Sequence, residues 1–380
     1  MLTLGSKVLS FFALVCIQTV VALMFKLSQR DAHYSYAPSS AQTSAEVIKL
    51  VISCALLTRV VHAEIRPDVE LGSSSRHFAL AFRVWVRIRQ DVSMRLVVAL
   101  GGLAALYCFN NQLAFTVFRL ADAASVTLVK SASTAVSAGL LWLLLSRPVS
   151  QHQLVCIALQ SLGLFVAQYD ACKHASVLPL YVYLLLLLSL LITSLSGVAN
   201  EQLLKGEIAH MHVQNTWLYI YGILLNLTIF SVTERQPFFH GYSFSVWGVI
   251  TCQALLGITV TFVLKYADMV VRCLASSCAV STLYAINIFF MGFEFNPVYF
   301  AGAVTVFLST YMYFSITPAP AQISQNDASK LHENDTQPAA QDRKKTWEGF
   351  RWLQANSGVL LLFALLAIVL YAEAASAAVR

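Results

Sequence analysis

Apolar residues come in long blocks along this chain, and polar residues come in short ones. The blocks lie near residues 5–26, 41–63, 96–118, 122–145, 150–169, 177–199, 213–233, 243–264, 270–291 and 296–316. Each is about 18 residues or longer, enough for a helix to cross a hydrocarbon core of roughly 30 Å. Lipid offers the backbone no hydrogen-bond partner, so such blocks form helices, and the two-residue alternation of a membrane β-barrel is absent. Most links are short and polar, around Arg119–Asp122, Ser146–Gln153, Asp170–Ser176, Glu234–Gly241 and Phe293–Pro297. The pattern predicts an all-α integral membrane protein with ten transmembrane helices.

Two connections are longer. The first, about 64–95, holds Arg66, Arg76, Arg83, Arg87, Arg89 and Arg95. Within it Phe78–Arg89 alternates apolar and basic residues, so it is read either as a segment along the membrane surface or as a solvated loop. The second, 317–355, carries Pro, Gln, Asn and Asp and then Arg343, Lys344 and Lys345, a composition that predicts a polar, disordered cytosolic segment. Residues 356–374 contain a last apolar run, Val359–Ala372, short for a span. It is either an eleventh helix or an interfacial or partner-packed one. The first run, Val8 to Met24, is longer than the apolar core of a signal peptide and no small-residue cleavage site follows, so it is read as a span.

Orientation follows from the basic residues. With the N-terminus in the cytosol, that side collects Lys7, the arginines of 64–95, Arg147, Lys205, Lys265, Arg272 and the basic residues of 317–355. The other side keeps only Lys26, Arg30, Arg119, Lys173, Arg235 and Arg380. The positive-inside rule therefore places the N-terminus in the cytosol. The sequon at Asn334 would then be cytosolic and that at Asn226 within a span, so both are expected to be silent. Ten spans divide into two sets of five, and odd-numbered halves of like fold lie in opposite orientations. The count alone thus predicts a membrane domain of residues 1–316 built as two inverted five-helix repeats, about 1–170 and 177–316.

Composition agrees. Of 380 residues, 58% are hydrophobic and 12% charged, against roughly 25% charged in soluble domains. A formal charge of +6, dispersed along the chain, does not suggest nucleic acid as a partner; the lipid bilayer is the partner that composition implies. The eight cysteines stand singly, without a C-x-x-C pair or zinc spacing, so buried free thiols are expected and no metal site.

Ionisable groups are costly inside a bilayer, so each is a functional candidate. Glu46 and Lys49 in the second span share a helix face and can neutralise each other, either for function or to hold helices together. Lys130, about two turns inside the fourth span, lies among Thr127, Ser131, Ser133 and Thr134. It suits an anionic ligand such as phosphate, or a carboxylate from another helix. Asn110, Asn111 and Gln112 can read a base edge or sugar hydroxyls, or bond one helix to another. No G-x-S-x-G, H-E-x-x-H, D-x-x-D or Walker motif is present, which argues against a pump or a membrane enzyme and implies no cofactor.

Several stretches resemble the nucleotide-sugar transporter family of the Golgi and endoplasmic reticulum, within the drug/metabolite transporter superfamily. Ala45-Glu46-Val47-Ile48-Lys49-Leu50 matches its E-V-I-K-L, and Tyr107, Asn110-Asn111-Gln112 and Asp122-Ala123-Ala124 resemble its third-to-fourth-helix signature. Gly197-Val198-Ala199-Asn200-Glu201-Gln202-Leu203-Leu204-Lys205 resembles G-V-Y-F-E-K-x-L-K after helix six, and Val213-Gln214-Asn215 resembles V-R-N. Phe238-Phe239-His240-Gly241-Tyr242 resembles G-F-F-x-G-Y, and Lys265-Tyr266-Ala267-Asp268 matches K-Y-x-D before helix nine. In this order, from about residue 5 to 316, they are similar to the branch carrying CMP- and UDP-linked sugars.

The resemblance implies a ten-helix inverted-repeat carrier of the Golgi or endoplasmic reticulum membrane, exchanging cytosolic nucleotide sugar for lumenal nucleoside monophosphate. It carries substrate roles to Asn215, Tyr219 and Arg272, where the family usually has lysine, and favours UDP-galactose or UDP-N-acetylglucosamine. With Lys130, Asn111 and Gln112 these form the expected substrate set. Glu46, Lys49, Glu201, Lys205, Lys265 and Asp268 are the expected structural or gating charges. The helix-four run Y-Q-x-T-Y-Q-x-K departs here, with Ser133 at its lysine position and Lys130 one turn away as the expected replacement. Met269 and Arg272-Cys273 are further departures. A rival reading is a non-transporting scaffold of the same fold that binds glycosyltransferases or other transporters through 317–355; homo-oligomerisation is open in either.

Overall fold

A computed structural model describes residues 4–28, 36–64, 73–90, 92–121, 126, 129–145, 150–172, 179–206, 209–292 and 295–316. The predicted segment 317–355 and the run 356–374 lie outside the described residues, as does the Asn334 sequon. The described elements are all helices: α1 Leu4–Ser28, α2 Pro38–Glu64, α3 Ser73–Gln90, α4 Met94–Leu120, α5 Ser133–Leu145, α6 Gln151–Cys172, α7 Leu180–Gly206, α8 Met211–Thr233, α9 Phe244–Tyr266, α10 Met269–Met291 and α11 Pro297–Ile316.

Seven are long and apolar enough to cross a membrane: α1, α4 and α7 through α11. The protein is therefore a multi-pass membrane protein, but the helices that qualify singly are fewer than the ten expected. Each shortfall has a physical reason. α2 is long but polar, with Ser39, Ser40, Thr43, Ser44 and Ser53 buried along it. α5 and the apolar part of α6 are shorter apolar helices. The span predicted at 122–145 is interrupted: Ser131 and Ala132 form a turn, with Ala132 N–H donating to Val129 O at 3.2 Å, before α5 begins. Cysteine placement also differs from expectation. Cys108, Cys156, Cys273 and Cys278 are buried free thiols, whereas Cys16 is exposed and Cys54 and Cys252 are half-buried.

The chain forms two compact units, each drawn from both halves of the sequence. Unit 1 comprises Met1–Gln112 and Ala199–Ala275. In it α2 packs along α8 and α9, α1 packs on α9, and α3 lies against α2 and α8. One apolar layer joins Leu57 and Val61 of α2 to Val213 of α8. A second joins Ala45 of α2 to Val246 and Ile250 of α9. The α8–α9 connection folds over its end as an aromatic group in which Phe239, Tyr242 and Trp247 meet ring to ring. The Tyr242 hydroxyl reaches Ser40 and Ser44 of α2.

Unit 2 comprises Leu113–Val198 and Ser276–Arg380. Its densest contact is α6 against α11. Gly163 and Gly302 face each other there, and a Cβ added at Gly302 would stand 2.5 Å from the Gly163 carbonyl oxygen and 2.6 Å from the Ala167 nitrogen. Lipid tails are as apolar as Leu, so helices in a membrane associate by such close backbone approach between small residues. Tyr284 stacks on Tyr299 at 3.6 Å, and its hydroxyl is bonded to the Asn296 backbone, closing the α10–α11 turn.

Gly302→Val is expected to lower stability by about 1–3 kcal/mol, the usual cost of overpacking, because the obstructing atoms are backbone. Gly139→Ala, with nothing within 4 Å of the added carbon, is expected to leave the melting temperature of the purified protein unchanged. Thermal unfolding of both variants in detergent checks the contrast.

Candidate functional site

The charges of α2 organise the interior of unit 1. Glu46 lies ~12 Å along α2 from its start and Lys49 ~22 Å from its end, at 1.5 Å per helical residue. Three-residue spacing puts both on the face turned to α8 and α9, and Lys49 Nζ donates to Glu46 Oε1 at 2.6 Å. The side chains are only 13% and 12% exposed, so each charge depends on the other for neutralisation. Two glycines make room for them. A Cβ at Gly222 of α8 would stand 3.2 Å from the Glu46 carboxyl, and one at Gly257 of α9 would stand 2.7 Å from Lys49 Cε.

Around this pair α8 presents Asn215, Tyr219, Gly222 and Asn226, buried residues that recur on one helix face. Lys49 Nζ lies 5.6 Å from the centre of the Tyr219 ring, a cation–π distance. The Tyr219 hydroxyl is buried, within hydrogen-bonding reach of Thr261. Its neighbour Thr261 turns its own hydroxyl to the Gly257 carbonyl at 3.1 Å. From α4, Tyr107 accepts a hydrogen bond from Asn200 of α7 at 3.0 Å and lies within electrostatic reach of both Arg272 and Glu46. Cys108, beside it, donates to Asn226 Oδ1 at 3.4 Å.

A second charged group closes one end of unit 1. α7 continues to Gly206, past the edge near 199 expected from sequence, so Glu201 and Lys205 sit on its last turns and not beyond it. Glu201 Oε1 accepts from Lys205 Nζ at 2.8 Å, and its other oxygen accepts from the Met269 N–H at 2.7 Å. Lys205 also donates to the Ala267 carbonyl that ends α9, while Lys265 donates to the Leu204 carbonyl that ends α7. Asp268 accepts from the Val271 N–H at 2.8 Å and so caps α10. Cations thus meet helix C-termini and carboxylates a helix N-terminus, the arrangement that helix dipoles favour.

The expected residues divide between these places. Glu46, Tyr219 and Arg272 lie within electrostatic reach of Tyr107, Lys49 bonds Glu46 and faces the Tyr219 ring, and Asn215 lies one turn from Tyr219 on the same buried face. Glu201, Lys205, Lys265 and Asp268 form the helix-end group. Asn111 and Gln112 are half-buried on α4, with Asn111 one turn beyond Tyr107. Lys130 belongs to unit 2, where its side chain is exposed just before the turn at Ser131. Sequence reasoning missed Thr261, Gly222 and Gly257, and it quoted Tyr107 and Asn200 without assigning them a role. An isolated glycine in the middle of an apolar helix was the available signal for both glycines.

A family model described as nucleotide-sugar transporter matches residues 3–314. Among curated proteins, CMP-sialic acid transporter 2 of Oryza sativa subsp. indica is 28% identical over 317 residues, covering 81% of this chain and 83% of its own. CMP-sialic acid transporter 4 of Arabidopsis thaliana is 26% identical, covering 79% and 82%. The UDP-galactose translocator of Canis lupus familiaris is 26% identical, covering 81% and 76%. One solved crystal structure is alike in fold, with a TM-score of 0.56 and 14% identity over 81% of this chain and 96% of that one.

Breaking the α2 pair should cost more than removing it. Lys49→Ala alone is expected to destabilise by about 3–5 kcal/mol, because it strands a buried carboxylate. The double variant Glu46→Gln/Lys49→Met is expected to recover more than half of that loss, as read by unfolding of the purified protein.

Proposed function

Because the chain belongs to the nucleotide-sugar transporter family, we propose that it is an antiporter of the Golgi membrane that exchanges a cytosolic pyrimidine nucleotide sugar for a lumenal nucleoside monophosphate. In this reading the segment 126–145, α2 and α6 also cross the bilayer, giving ten spans in two inverted repeats with a cytosolic N-terminus. The observation that carries the proposal is the buried Glu46–Lys49 pair of unit 1, with Tyr219 against Lys49 and Tyr107 within electrostatic reach of Glu46 and Arg272.

Such a site suits an anion with polar groups attached. A phosphate carries more negative charge than a single carboxylate, so an arriving nucleotide competes with Glu46 for Lys49. Arg272 can hold phosphate oxygens in a two-pronged bond, and Lys130 is a further cation suited to a phosphate. Tyr219 and Asn215 supply hydrogen bonds and ring stacking to base and sugar, with Asn111 and Gln112 as further polar groups. Either nucleotide neutralises the cations and stabilises an occluded state, whereas the empty site resists closing, which makes exchange obligatory. UDP-linked sugars are the substrate class, supported by the motif resemblance and by the UDP-galactose translocator among the relatives. No observation favours the scaffold reading, which leaves the interior charges without a task.

The test is uptake of radiolabelled nucleotide sugars into proteoliposomes preloaded with UMP or CMP. Uptake is expected only with the matching internal monophosphate. Arg272→Ala should reduce it about tenfold or more, since hydrogen bonds to charged groups contribute about 1.5–3 kcal/mol, and Lys130→Ala should do likewise. Uptake indifferent to the internal nucleotide would contradict exchange, and no uptake of any nucleotide sugar by folded protein would contradict transport.

A further inference from the structure

The 64–95 connection is not a plain loop: its residues Ser73–Gln90 form helix α3. Two faces of α3 differ sharply. Val84 and Ile88, one turn apart, pack against Leu57, Val61 and Val213, and the Trp217 indole N–H of α8 donates to the Ile88 carbonyl at 3.0 Å. That face anchors α3 to the helix ends of unit 1. The opposite face carries Phe82, Trp85 and Arg89, with Arg83 also exposed. Phe82 and Trp85 are 56% and 54% exposed, although their rings stack at 6.2 Å, and the Arg89 guanidinium lies 5.6 Å from the Trp85 ring.

Large aromatics left bare beside arginines need an environment that is apolar on one side and anionic on the other. The α3 segment contains no Asp or Glu, its Arg83 and Arg89 are exposed, and Arg59 near the end of α2 is exposed as well. Its position decides which environment is at hand. It follows α2 and precedes α4 along the chain and touches the first turns of α8, so it lies at the end of unit 1, whose α1, α8 and α9 are long and apolar enough to cross a membrane. From these observations we propose that α3 is a lipid-binding element, seated in the bilayer interface with Phe82 and Trp85 among the acyl-chain ends and its arginines on anionic headgroups. Aromatic and basic residues on one amphipathic helix give this kind of binding, and each basic residue near an anionic surface strengthens it. The proposal stands apart from the transport reading, because it concerns the bilayer around the protein and not the site within it.

The test places full-length protein in nanodiscs of phosphatidylcholine alone or of phosphatidylcholine with phosphatidylserine, and follows amide hydrogen exchange across residues 73–90. Exchange there is expected to slow several-fold in the anionic discs. High salt and the surface variant Arg83→Gln/Arg89→Gln should each abolish most of that slowing, with exchange in α8 unchanged. Equal exchange in the two discs would overturn the proposal. So would slowing produced by inorganic phosphate in neutral discs, or slowing that the variant retains in full.

Discussion

A charge buried between packed helices must be neutralised by another part of the same protein, and that constraint shapes unit 1. Glu46 and Lys49 meet it locally, on one face of one helix, at 2.6 Å. Their neighbours then have to yield space to two long side chains held together. Gly222 and Gly257 do so, because any side chain at either position would press on the pair. The helix that bears the charges is also the polar one, and it is buried on α8 and α9. Polar residues elsewhere follow the same rule on a smaller scale. Thr19, Thr43, Thr216 and Thr310 each return a hydroxyl to the carbonyl four residues back.

The helix-end group applies the constraint where helices stop. Carbonyls at the ends of α7 and α9 and the free N–H of α10 would otherwise be left without partners. Lys205, Lys265 and Glu201 satisfy them across elements, so the three helix ends are tied to one another. The same residues are the basic and acidic members of two sequence motifs. At this end they form bonds between helix ends.

Much of this was legible in the sequence. Apolar blocks located the helices to within a few residues in most cases, because the hydrocarbon thickness sets both the length and the composition of a span. Interior charges announced themselves for the same reason. The break before α5 was not visible, since Ser131 and Ala132 do not interrupt an apolar block and the turn is made by the backbone. α3 was half visible: its basic-apolar mixture suits a segment along the membrane surface or a solvated loop, and the structure forms a helix there with Val84 and Ile88 packed on unit 1. Which polar groups meet could not be read at all. Tyr107 and Arg272 are far apart along the chain, and their proximity is a property of the packing.

The central claim is that the self-neutralised charges of unit 1 form the seat of a nucleotide. Equilibrium binding of UMP and CMP to the purified protein, compared with the folded double variant Glu46→Gln/Lys49→Met, tests it most directly. The account predicts saturable binding of at least one of these monophosphates by the unaltered protein and its loss in the variant. Equal binding by both proteins would place the nucleotide elsewhere and contradict the account.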